Sequence, residues 1–176
     1  MAYTYSKIAT YTVGSGGVAS ISFLNIPQNY TDLHLITSLR SNRATVVYDT
    51  GIIRFNSDSG NNYVASRRLY GDGSSAFSDA PAITNSGLFE MPTASGATAN
   101  TFGNMQIYIP NYTSSNYKSY SNDGVSENNA TTSFATLIAG LWNSTSAITS
   151  ITITPFAGTL WNQYSTAHLY GVKAEL

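Results

Sequence analysis

Along this chain apolar and polar residues alternate. Ala19, Ile21 and Phe23 alternate with Ser20 and Ser22, and Leu33, Leu35 and Leu39 alternate with His34, Ser38 and Arg40, with Thr37 in an inward slot. The scheme returns where Ile53 and Phe55 flank Arg54, where Met105, Ile107 and Ile109 flank Gln106 and Tyr108, and where Ile151 and Ile153 flank Thr152. A period of two sends successive side chains to opposite faces of a strand, so each segment predicts a strand with one dry face. No sustained i, i+3, i+4, i+7 apolar stripe competes with it, and little or no helix is expected.

Turn-forming clusters separate the strands: Gly14 to Gly17, Ile26-Pro27, Asp49 to Gly51, Asp58 to Asn62, Gly71 to Ser75 and Asn122 to Gly124. They divide the chain into about eight to ten strands, the pattern of an all-β, antiparallel β-sandwich of jelly-roll-like build. The run TTSFATLIAGLW, Thr131 to Trp142, is more continuously apolar than the rest. It predicts a strand covered on both sides or bordering a subunit interface, with a short helix as its rival. Gly71 to Gly103, broken by Pro81 and Pro92, reads as long loops around one short strand near Leu88 to Met91.

Neither an internal repeat nor a shift of composition marks a boundary, so residues 1–176 are expected to form one domain. A chain of that length can bury roughly 70% of its unfolded surface without help from cross-links. It has none to call on, because cysteine is absent, which also removes thiolate metal sites. Charged residues make up 10% of the chain and the net charge is -1, so no field gathers phosphate backbones or acidic membranes. Nucleic acid is not an expected partner. The N-terminus MAYTYSKIATYTV lacks a basic segment followed by an apolar one, and no apolar run approaches the ~20 residues of a membrane span. Synthesis in a cytoplasm without membrane insertion is the expectation.

The motifs that could carry chemistry are weak. Gly14, Gly16 and Ala19 satisfy a relaxed dinucleotide fingerprint, but the segment that follows alternates like a strand, so the glycines are expected to close a hairpin. His34 and His168 are the only histidines; both fall on the polar phase of their strands, and neither has a second ligand at metal spacing. The nine acidic residues are scattered, with Asp58, Asp72, Asp79 and Asp123 in expected turns; a facing pair such as Glu90 with Asp32 is the one glycosidase arrangement left open. No G-x-S-x-G elbow occurs. No enzyme activity, catalytic residue, metal or cofactor is therefore expected.

The aromatic content is a clearer signal. Thirteen tyrosines and two tryptophans combine large apolar rings with polar tips, a composition suited to contacts. Tyr108, Tyr112, Tyr117, Tyr120, Tyr164 and Tyr170 fall on expected edges, polar faces or loops, and Trp161 to Tyr164 on the turn before the last strand. Arg40, Arg43, Arg54, Arg67 and Arg68 concentrate the positive charge in one half of the chain, where planar bidentate contacts could meet an acidic partner. These residues are the candidate interface set.

Two segments, YSKIATYTVGSGGVASISFLNIPQNYTDLHLITSLRSN and ITSITITPFAGTLWNQYSTAHLYGVKA, resemble small structural proteins of tailed-bacteriophage particles. The landmarks are the Gly-Gly before Phe23, Ile26-Pro27, Tyr30-Thr31-Asp32-Leu33 and the closing Leu169-Tyr170-Gly171. The resemblance implies a jelly-roll-like fold, often trimeric, on the outer surface of a virion. Its first expectation is a capsid decoration (cement) protein, a homotrimer bound to the major capsid protein. The alternative is a tail-fibre or receptor-binding module that recognises host-surface glycans. Gly71 to Asn128 carries none of the landmarks, and its loops would hold this chain's own specificity.

Overall fold

A computed structural model describes residues 3–128 and 133–174. These residues form twelve strands and no helix. In chain order the strands are β1 (Tyr3–Thr12), β2 (Ile21–Phe23), β3 (Asp32–Leu39), β4 (Tyr48–Phe55), β5 (Tyr63–Gly71) and β6 (Ala76–Asp79). There follow β7 (Gly87–Thr93), β8 (Gly103–Ile109), β9 (Lys118–Glu127), β10 (Ser133–Trp142), β11 (Ile151–Pro155) and β12 (Thr166–Ala174). All pair antiparallel in two sheets, an eight-stranded one ordered β1-β12-β3-β8-β9-β10-β5-β6 and a four-stranded one ordered β2-β11-β4-β7.

The order contains a jelly roll. Strands β1, β12, β3 and β8 make one layer and β2, β11, β4 and β7 the other, so that the first strand pairs with the last and the second with the second-last. The expected β-sandwich is present. The expected count of eight to ten strands was low, because β5–β6 and β9–β10 are hairpins inserted into the roll that extend its larger sheet by four strands.

The period-two pattern explains the core. Leu33, Leu35, Leu39, Ile107 and Ile109 of the larger sheet and Ile21, Ile53, Phe55, Ile151 and Ile153 of the smaller are fully or almost fully buried. Each such side chain contributes about 1.5–3 kcal/mol relative to leaving it in water. Trp161 is completely buried, with its ring 6.3 Å from that of Phe89 and its Nε1 donating to Ile153 O.

Several expected turns lie elsewhere. Gly14 to Gly17 do turn the chain, but they lead from β1 in one sheet to β2 in the other, so they form a corner and no hairpin. Asp49 to Gly51 fall inside β4 and Asn122 to Gly124 inside β9. Gly51 is in the strand because a Cβ there would stand 2.1 Å from the Phe89 ring, and Asp49 is buried, accepting from Ser41 Oγ and from the Thr50 and Gly158 amides. Asp79 and Asp123, also expected in turns, lie in β6 and β9, whereas Asp58 and Asp72 accept from nearby amides as turn residues do. Gly71 to Gly103 holds two strands, β6 and β7; Pro92 sits beside a register shift, where no ladder hydrogen bond is demanded of it. Of the run expected as a strand over 131–142, residues 131 and 132 lie outside the described ones and the rest is β10.

The extension is bound to the roll by polar groups as well as by the packing of Tyr63, Tyr120 and Trp142 around Phe55. Strand β7 is the edge of the smaller sheet and presents unpaired backbone groups, which proteins normally cover. Alternate residues of β9 cover them: Tyr120 Oη accepts from Leu88 N and donates to Leu88 O, Asn122 Oδ1 accepts from Glu90 N, and Ser126 Oγ meets Thr93 Oγ1 at 2.9 Å. The matching two-residue step, 120-122 against 88-90, is the strand period read by side chains on one strand and backbone on the other. The Tyr120 ring lies against Gly140, where a Cβ would come within 2.1 Å of it.

Candidate functional site

Across the larger sheet, cross-strand register aligns the outward side chains in rows. One row runs Lys7, Tyr170, His34, Tyr108, Ser121, Ala139, Arg67. The next runs Thr10, His168, Ile36, Gln106, Asp123, Leu137, Leu69, Ser78, and a third Thr12, Thr166, Ser38, Asn104, Val125, Ala135, Gly71, Ala76. On the roll these rows carry hydroxyls, imidazoles and tyrosines. On the extension they turn aliphatic.

Leu137, Leu69 and Val125 are 57%, 52% and 52% exposed, and they adjoin Ala135 and Ala139. Small residues over β9 and β10, between taller side chains on β3 and β8 and on β5, hollow the face into a trough. It consists of two adjoining depressions of about 590 and 510 Å³ that share Leu69, Gln106, Asp123 and Leu137. From β8 to β5 the trough is roughly 14 Å wide, three strand spacings, and its rows cover a similar length.

The roll end of the trough is polar. His34 lies 5.7 Å from the Tyr5 ring and 6.1 Å from that of Tyr108, with Tyr5 and Tyr170 edge to face at 6.4 Å. Burial holds the His34 imidazole below its ordinary pKa, against the upward pull of a hydrogen bond with Gln106 and of the Asp123 charge. Tyr108 Oη donates to Asp32 at 2.5 Å, and Asp32 also accepts from Asn111 N. Both histidines keep the outward phase expected of them, while Leu35 and Leu169 point inward.

The candidate interface residues do not gather at one place. Arg67, Tyr108 and Tyr170 lie on the outer face, Arg67 and Tyr108 lining the trough. Tyr117 and Tyr164 are exposed on connections. Tyr112, Tyr120 and Trp161 are buried; Tyr112 and Trp161 lie on the connections expected of them but point inward, whereas Tyr120 is corrected to an inward position within β9. Tyr112 Oη donates to Pro27 O, so its hydroxyl serves the core.

Three arginines likewise turn inward. Arg40 is buried and donates to the carbonyls of Ala97, Thr98 and Thr101, clamping the β7–β8 connection. Arg43 faces Asp49 at 3.5 Å. Arg68 pairs with both Glu90 and Asp79 and lies 5.2 Å over the Tyr70 ring, which ties β5 and β6 to β7. Burial pushes the Glu90 carboxyl above its usual range despite Arg68, while Arg68 holds Asp79 below it. Arg54 is half-buried and donates to Asn85 O.

Glu90 and Asp32 are thus committed to different partners, Arg68 and Thr50 for one, Tyr108 and Asn111 for the other. Among the described residues no group of three or more His, Cys, Asp or Glu is placed to hold a metal ion. The aliphatic triplet Leu69, Val125 and Leu137 was missed as a site. Its signal was the apolar residue on the second phase of β10, visible in TLIAGLW as the lost alternation.

Comparison with known proteins finds no matching family model and no matching curated protein.

Proposed function

We propose that the chain is a non-enzymatic structural protein of a tailed-phage particle, a decoration protein that grips the major capsid protein on the outer shell through the extension trough. The observation that carries this reading is the exposed aliphatic cluster Leu69, Val125 and Leu137 gathered in one concave face of a sparsely charged surface. An apolar floor within a concave face is unfavourable in water and suits a surface meant to be covered. A protein partner fits better than a sugar, because aliphatic side chains offer no flat ring for a pyranose to stack on. The resemblance of the two terminal segments supports the location on a virion and the homotrimeric state.

Rigidity supports the same role. The trough rests on β9 and β10, which are fixed to the roll by the Tyr120, Asn122 and Arg68 bonds, so little freedom would be lost when it is covered. With few charges present, attachment should depend weakly on ionic strength.

Quantitative mass spectrometry of purified particles tests the reading. The chain should occur in fixed, high proportion to the shell protein and remain attached in high salt. Recovery of only a few copies per particle, or its release by moderate salt, would overturn it.

A further inference from the structure

A third hollow, of about 440 Å³, shares no lining residue with the trough and lies where three connections meet. The β1–β2 corner contributes Gly17, the β7–β8 loop Asn100 and Phe102, and the turn before β12 Asn162, Gln163 and Tyr164. Its volume falls within the roughly 300–1,000 Å³ of small-ligand sites.

The backbone here is held out of its preferred regions. Gly17, Asn100 and Tyr164 have φ of 74°, 63° and 71°. Glycine and asparagine accept this readily, but a bulky aromatic residue does so only under constraint. The constraint is visible: Tyr164 N donates to Val13 O at 2.9 Å, Asn162 N to Arg40 O at 2.7 Å and Ser165 N to Asn162 O at 3.1 Å. The strained residue gains little packing in return, since Tyr164 is 65% exposed. Strain that the surroundings enforce without a packing benefit is characteristic of ligand sites.

The lining defines the ligand. Asn100, Asn162 and Gln163 each supply an amide donor and an acceptor, and none of the three side chains is engaged by another described residue. Tyr164 and Phe102 supply ring faces. No carboxylate lines the hollow, and the Arg40 guanidinium that walls it is committed to the carbonyls of Ala97, Thr98 and Thr101. Paired donors and acceptors beside flat apolar faces, with no free charge, match a hydroxyl-rich, uncharged ring with an apolar side.

We propose that this hollow binds a neutral saccharide, a sugar ring against Tyr164 and its hydroxyls bonded by the amides of Asn100, Asn162 and Gln163. The site goes beyond the docking reading and does not rest on it.

The test is an NMR titration of the full-length, isotopically labelled chain with maltotriose, cellotriose, chitotriose and mannotriose, and with sialyllactose as the charged control. At least one neutral sugar should shift the amide signals of Asn100, Asn162, Gln163 and Tyr164 saturably while those of β10 stay still. Tyr164→Ala should weaken that sugar by about tenfold or more, a loss of roughly 1.4 kcal/mol, and Tyr164→Phe should bind as the parent does. Tyr164→Gly should raise the thermal midpoint, because glycine relieves the strain, and yet abolish binding. No response to any neutral sugar, a response to sialyllactose alone, unchanged binding by Tyr164→Ala, or a lowered midpoint in Tyr164→Gly would each overturn the proposal. Leu137→Asp, which disables the trough, should leave the sugar response intact, so failure of the docking reading is read separately.

Discussion

The two halves of the larger sheet solve the same problem differently. Strands β1, β12, β3 and β8 bury an aliphatic inner face against the second sheet and show water a face of threonines, tyrosines and imidazoles. Strands β9, β10, β5 and β6 lie beside that second sheet's edge strand β7, join it by Tyr120, Asn122 and Arg68, and reach β4 through the rings of Tyr63, Tyr120 and Trp142 around Phe55. Tyr63, Tyr120, Ile138 and Trp142 of these strands point inward, and Leu69, Val125 and Leu137 lie on the outer side. The difference teaches that the extension adds directional polar bonds to the packing of those inward residues, and keeps a second, outer apolar surface for something outside the chain.

Substitutions can break that comparison. The largest effect is expected at Tyr120, whose ring fills the space above Gly140 and whose hydroxyl serves both backbone groups of Leu88. Tyr120→Ala should cost about 3–5 kcal/mol in chemical denaturation, the range for large-to-small aromatic changes. Tyr120→Phe isolates the hydroxyl and should cost about 1–3 kcal/mol, the penalty of leaving buried backbone groups unbonded. Hydrogen exchange sharpens the result, since protection should fall first in β9, β10, β5 and β6 while β1, β12 and β3 keep theirs. Equal loss in both halves would mean that the extension is no separate unit.

Arg68→Ala comes next. It strips Glu90 of its cation while Glu90 remains 2% exposed, and should cost about 2–3 kcal/mol, below the roughly 3–5 of a fully dry pair because a fifth of the Arg68 side chain meets solvent. Double replacement by Arg68→Met and Glu90→Gln should recover part of that loss.

The smallest effect is on pH dependence, and near neutral pH it belongs to the roll. The folded His34 has a lowered pKa, so folding favours its neutral form. Its contribution is complete above the unfolded value of about 6.5 and is lost as pH falls through the folded one. Denaturation midpoints measured from pH 7 down to pH 5 should decline, and His34→Gln should flatten that decline. At lower pH a further loss should follow from Asp79, held down by Arg68, and from Asp58, where hydrogen bonds from Trp142, Asn62 and Gly60 outweigh its burial. Both stabilise above the unfolded carboxylate value near 4 and cease to as pH drops through their folded values.

The roll was legible in the sequence because its strands bury aliphatic residues at a strict period of two, as in β3, β4, β8 and β11. The extension was not. Strand β9, KSYSNDGVSE, turns Tyr120, Asn122 and Ser126 inward to serve the β7 edge, so its inner face reads as polar and its Asn-Asp-Gly reads as a turn. Gly51 misled in the same way, since the glycine makes room for Phe89. The arginines and tyrosines were sound as a class of contact residues, but Arg40, Tyr112 and Tyr120 bond to backbone groups far away in the chain, which local pattern cannot reveal. Only the apolar run in β10 announced the trough, through its loss of alternation.

The most direct test of the docking face is Leu137→Asp, which adds a charge at an exposed position without touching the core. The variant should fold with only a modest loss of stability, because Asp123 stands directly opposite, and lose at least about tenfold in co-sedimentation with shells lacking the protein, roughly 1.4 kcal/mol of attachment. Attachment equal to that of the parent chain would contradict the account.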